Sequence, residues 1–133
     1  MYRLNSQQQE LVTRAGALAD DKIAPHAARS DQHAEFVRSG ITALGEQGYL
    51  GLTVPTAFGG MGQGLRSAAA VLEEIGQRDA STAMVYLMHL CGIACYGAAP
   101  GKTGSLLRQA AAGRHQRDGI AQSFLGAGQQ GCR

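Results

Sequence analysis

Several things are scarce in this chain of 133 residues, and each scarcity removes a class of function. Charge of one sign is scarce. Twelve Lys and Arg against ten Asp and Glu leave a formal net charge of +2, scattered along the sequence. That is too little for the electrostatic footprint of a nucleic-acid binder. Cysteine is scarce too, and the three present, Cys91, Cys95 and Cys132, cannot all pair within one chain. Cys91 and Cys95 lie one helical turn apart in an apolar run, so they read as small buried side chains and not as a disulfide, which fits a reduced, cytoplasmic setting. The opening MYRLNSQQQELV has neither the apolar segment of a secretory signal nor the Arg-rich amphipathic pattern of a presequence, so no targeting signal is expected. The most apolar stretch, AMVYLMHLCGIACYGAA at residues 83–99, is interrupted by His89 and rich in small residues. It falls short of the ~20 apolar residues a bilayer demands, and no membrane span is expected. Period-two alternation is nowhere long enough to build a sheet, and no segment repeats.

What is there is helical. Apolar residues make up 44% and charged residues 17%, with both signs mixed, which argues for one folded domain with a real core. Ser6 followed by Gln9 makes a capping box ahead of Leu11, Val12, Ala15, Leu18, Ala19 and Ile23, one face of an amphipathic helix that Pro25 should end or kink. Phe36, Val37, Ile41 and Leu44 predict a second helix, stopped at Gly48. YLGLTV, from residue 49, reads as extended, and the glycines after Pro55 permit unusual backbone angles. Leu65, Ala68, Ala69, Leu72 and Ile75 predict a third helix, with Glu73 and Glu74 on its polar side. Asp79 or Ser81 caps a fourth, which runs to about Gly97 and is apolar on nearly every face, so it should be surrounded by protein. Leu106, Leu107, Ala110 and Ala111 predict a short fifth, ended by Gly113. The expected class is all-α: about five helices, with a Gly-rich loop between the second and third. Past Gly113 the composition turns to Gly, Gln and Arg, so the domain is expected over residues 1–114 and a poorly ordered tail over 115–133.

Two glycine patterns invite a phosphate. In VPTAFGGMGQG, residues 54–64, Gly60, Gly62 and Gly64 give G-x-G-x-G where a dinucleotide fingerprint needs G-x-G-x-x-G, and no second strand follows to complete a βαβ unit. In GAAPGKTG, residues 97–104, the spacing is one residue short of a P-loop and the approach is helical. The first loop therefore reads as a tight chain reversal permitted by Gly59, Gly60 and Gly62.

The run LGEQGYLGLTVPTAFGGMGQGLRSAAAVLEEIGQRDASTAMVYLMH, residues 44–89, resembles the N-terminal helical domain of the acyl-CoA dehydrogenases. A helix ending in a Gly turn, a GL.VP..(Y/F)GG.G loop, a helix carrying EE(L/I), and D.S.A opening a buried helix occur in the family's order and spacing. IAPHAARSD upstream and YGAAPGKTGSLLRQAAAGR downstream extend the likeness to about residues 5–114. The resemblance implies an N-terminal piece of an FAD-dependent enzyme that desaturates acyl-CoA thioesters between the α and β carbons. The family's middle and C-terminal domains hold most flavin contacts and the catalytic glutamate, so this chain is expected to be truncated or frame-disrupted, to bind no FAD alone and to hold no catalytic residue. Its contribution would be part of the wall around the acyl chain, carried by alignment at Ala83, Leu87 and Cys91, positions equally compatible with ordinary core. Glu73 and Glu74 belong to a structural helix in that pattern, and His89 reads as a satisfied core histidine. A second reading is a free-standing helical interaction module whose uncovered apolar faces drive self-association. A third is a fragment of a related acyl-CoA oxidase or flavin-dependent monooxygenase.

Overall fold

The computed structural model describes residues 3–98 and 103–111. Six α-helices follow one another: α1 (Ser6–Leu18), α2 (Ala24–His33), α3 (Arg38–Glu46), α4 (Leu65–Gly76), α5 (Ala80–Ala98) and α6 (Thr103–Ala111). Among the described residues there is no strand. A π-turn, Ala19–Ile23, joins α1 to α2 without leaving helical backbone, so the two form one rod and the described residues make five rods, the all-α class read from the sequence.

That π-turn is how the chain absorbs Pro25. Proline has no N–H to donate and crowds the preceding turn. The turn widens just before it, with Ala24 N–H reaching back to the Ala19 carbonyl, and Pro25 then occupies the first turn of α2, where a missing donor costs nothing. The rod therefore does not end at Pro25 but continues to His33, where Ala34 caps it at φ 51°. The capping box at the start of α1 is also shifted by one residue: Asn5, not Ser6, is the cap, with Gln8 N donating to its Oδ1 at 2.8 Å and Gln8 Oε1 accepting from Asn5 N at 3.0 Å. YLGLTV is not extended. It opens with a 3₁₀ turn, Tyr49–Gly51, and a second, Thr56–Phe58, follows Pro55.

The main core gathers Ile23, Leu44, Tyr49, Leu52, Val71, Ile75 and Tyr86 from nearly every element. Each fully buried side chain of this size contributes roughly 1.5–3 kcal/mol of transfer free energy. A smaller cluster, Val54, Ile93 and Leu107, backed by Phe58 and Ala111, holds α6 against the loop and α5. Polar bonds fix the frame. Tyr86 Oη donates to the Tyr49 carbonyl at 2.6 Å, and Tyr49 Oη donates to the Leu11 carbonyl at 2.8 Å. Burial pushes both phenols above their ordinary range, so they remain protonated donors. On the outside, Arg78 bridges Asp20 (Nε to Oδ1, 2.8 Å) and Glu74 (Nη1 to Oε2, 2.6 Å), clipping the π-turn to α4. Its hydrogen bonds hold the Asp20 carboxyl below its ordinary range.

Helix α5 departs from expectation. By length and composition alone it is apolar enough to cross a membrane, but Thr82, Tyr86, Leu90 and Ile93 are the residues it buries. Met84, Leu87 and Met88 are 59%, 39% and 45% exposed, so protein surrounds one face and not the other. Cys91 and Cys95 lie on the open side as free, exposed thiols, not as buried side chains. Asp79 caps the helix, accepting from Ser81 N and Thr82 N at 3.1 Å each.

Candidate functional site

The central amides of the Gly-rich loop are already committed. Six consecutive N–H groups, from Phe58 to Gln63, donate to backbone carbonyls: to Pro55, Thr56, Pro55 again, Gly51, Val54 and Leu52 in turn. Gly59 and Gly62 adopt left-handed backbone at φ 85° and 63°, and a Cβ on Gly60 would run into the Val54 carbonyl. A phosphate cradle needs several free amides pointing at one spot. This loop uses its amides to fold back on residues 51–55. The second glycine pattern, GAAPGKTG, falls partly outside the described residues, and the stretch 115–133 lies wholly outside them.

By folding back, the loop forms one wall of an apolar groove of about 530 Å³. Thr53 and Phe58 contribute from the loop, Leu72 from α4, Leu87 and Cys91 from α5, and Leu107 from α6. Among the described residues no charged side chain lines it, and Arg108 lies over the Phe58 ring at 5.8 Å. The second wall is held in register by α5 itself. Tyr86 takes the Tyr49 carbonyl, and His89 Nε2 pairs with the Leu50 carbonyl at 2.8 Å. Those bonds anchor the 3₁₀ turn that leads into Thr53. One atom is out of place: Thr53 Oγ1 is buried and has no hydrogen-bond partner.

Of the three positions singled out in the sequence, Leu87 and Cys91 line the groove and Ala83 does not. Ala83 packs on the main core and faces Gly76. The reason is helical drift: residues four apart are about 400° apart in angle, so a line of i, i+4 and i+8 turns by about 40° at each step. Thr53, Phe58, Leu72 and Leu107 were not singled out, and their signal was weak. Each sits in an apolar run where core and groove look alike. Glu74 is paired with Arg78, Glu73 is exposed, and neither reaches the groove. Among the described residues no three His, Cys, Asp or Glu side chains gather as a metal site would require.

The groove suits an aliphatic chain. It does not suit a flavin, whose ring edge and pyrophosphate need several donors and a positive partner, where these walls present mostly hydrocarbon.

The family model for the acyl-CoA dehydrogenase N-terminal domain matches residues 5–111. A probable acyl-CoA dehydrogenase of Mycobacterium leprae, fadE25, is 35% identical over 92 residues, 69% of this chain and 24% of that protein. A 3-sulfinopropanoyl-CoA desulfinase of Variovorax paradoxus is 38% identical over 81 residues, 61% of this chain and 20% of the relative. The mitochondrial short/branched chain specific acyl-CoA dehydrogenase of Bos taurus is 34% identical over 67 residues, 50% of this chain and 16% of the relative. The chain spans a quarter or less of these curated relatives. No solved structure gives a significant match. The chain belongs to the acyl-CoA dehydrogenase family, and residues 5–111 correspond to its N-terminal helical domain.

Proposed function

We propose that these helices serve as the N-terminal domain of an FAD-dependent enzyme acting on acyl-CoA thioesters, and that the groove between the loop, α4 and α5 is wall for the acyl chain. The observation that carries this reading is the groove's lining: about 530 Å³ bounded by side chains such as Leu72, Leu87 and Leu107, with no charge among the described residues. Leu87 and Cys91 are the proposed contacts of the chain, with Ala83 packed behind them. Relatives named for acyl-CoA and for 3-sulfinopropanoyl-CoA support the substrate class, since both are CoA thioesters. In the full-length family the flavin accepts hydride from the β carbon; here the residues' work is to strip water from the alkyl chain and hold it.

On this reading the domain spans residues 1–114, and the general base and the flavin site come from polypeptide outside it. A base must lie within hydrogen-bond reach of its proton, and among the described residues no carboxylate lines the groove. The isolated chain is therefore proposed to be inactive and colourless. The two free thiols support a reducing, cytoplasmic setting. A second reading, a self-associating helical module, is favoured by one observation: the outward side of α5, with Met84, Leu87 and Met88 exposed.

The test is a calorimetric titration of the chain with butanoyl-, octanoyl- and dodecanoyl-CoA. Affinity should rise by up to about fourfold per methylene, the ~0.8 kcal/mol of a buried CH₂, until the groove is full. Leu87→Trp should move the plateau to shorter chains. Affinity that ignores chain length would overturn the reading, as would stoichiometric flavin absorbance or thioester desaturation by this chain alone.

A further inference from the structure

The unpartnered hydroxyl of Thr53 has a consequence for what the groove accepts, and the inference rests on the acyl-chain reading above. Thr53 lines the groove and is partly exposed, yet its Oγ1 is shielded from solvent and bonded to nothing. What it shows to the groove is therefore not its oxygen. A buried hydroxyl without a partner loses its hydration with no return, a cost of the order that a well-packed fold eliminates unless something recovers it. Valine would fill the same space without that cost.

Threonine differs from valine in one way that matters here. Turning about the Cα–Cβ bond by one rotamer step carries its hydroxyl to the place its methyl held, while the methyl moves to the place of the hydrogen. Since the oxygen has no bond to break where it now sits, the rotation sacrifices no protein hydrogen bond. One rotamer presents hydrocarbon to the groove, and the other presents a hydroxyl that both donates and accepts. The buried hydroxyls of Ser67 and Thr82 are already committed, Ser67 Oγ to Gln63 Oε1 at 3.0 Å and Thr82 to Asp79. The carbonyls leading into the wall, at residues 49 and 50, are held by Tyr86 and His89, so the side chain can turn on a fixed backbone.

We infer that Thr53 is a selectivity residue of the groove, whose hydroxyl turns inward to hydrogen-bond an oxygen substituent on the acyl chain, so that the groove prefers oxygenated acyl thioesters to plain alkyl ones. The experiment compares octanoyl-CoA with a set of its monohydroxy isomers, titrated into the full chain, its Thr53→Val variant and its Thr53→Ser variant. In the wild type at least one isomer should bind roughly tenfold tighter than octanoyl-CoA, the worth of one hydrogen bond made where none existed. Thr53→Val should bring that ratio to one, and Thr53→Ser should keep it. Thr53→Val should melt no lower than wild type, because it removes no bond.

If octanoyl-CoA binds with the expected dependence on length but no isomer is preferred, this inference is overturned and the acyl-chain reading stands. A preference that survives in Thr53→Val overturns it equally. If neither octanoyl-CoA nor any isomer binds, both readings fall together. A wild-type ratio of one overturns the inference whether or not a variant folds.

Discussion

The two sides of α5 have nearly the same composition and opposite fates. Inward, Tyr86 is fully buried, and Leu90 and Ile93 nearly so, and Tyr86 and His89 reach the neighbouring turn with polar bonds. Outward, Met84, Leu87, Met88 and Cys91 carry as much hydrocarbon, make no comparable bonds and stay exposed. Apolar character says only that a surface gains by leaving water. Which surface leaves within this chain is decided by the directional partners: the Tyr49 and Leu50 carbonyls wait on one side only. The difference separates the part of the helix that makes the fold from the part available to something else.

The contrast can be broken most severely from the inside. Tyr86→Ala removes a fully buried ring and its hydroxyl, and should cost about 3–5 kcal/mol of unfolding free energy in urea melts, with loss of a cooperative transition if the domain is only marginally stable. Tyr86→Phe isolates the polar part: the Tyr49 carbonyl loses its donor, and about 1–2 kcal/mol should go with the packing intact. Outside, Met88→Lys should change stability by less than about 0.5 kcal/mol, while reducing any concentration-dependent association measured by sedimentation. A large destabilisation by Met88→Lys would erase the distinction between the faces.

The smallest effect lies away from α5 and calibrates it. Asp20 is held below its ordinary range by Arg78, so its ion pair adds stability above the usual carboxylate pKa and loses it as pH falls below about 4. Asp20→Asn should flatten that acid limb slightly in pH-dependent melts. The pair is exposed, so a steep limb that persists in Asp20→Asn would point to other carboxylates.

Much of this was legible in the residues, and the failures have physical causes. The periodicity of Leu11, Ala15, Leu18 and Ile23 placed the first helix, but Asn5 and Ser6 are equally good caps, each with a glutamine three residues on, so the true cap was ambiguous by one position. Pro25 signals an end or a kink because a regular helix interior cannot satisfy the groups around it; the structure takes neither an end nor a sharp break but a π-turn ahead of the proline, and nothing in the sequence announces that form. YLGLTV is a short apolar run, and such runs do not separate a strand from a buried turn. Cys91 and Cys95 were expected inside because α5 is apolar all round, which conceals its orientation. The groove suffered from the same blindness: Leu87 and Cys91 reach it and Ala83 does not, a distinction set by 80° or so of helical drift.

Four sulfur atoms end up on the open side of α5, two thioethers at Met84 and Met88 and two thiols at Cys91 and Cys95. Mild peroxide would add oxygen there first, turning a greasy stripe into sulfoxides and sulfenic acids. Mass spectrometry of briefly oxidised protein would then map whatever shields that stripe, because each atom left unmodified marks where a covering surface had been.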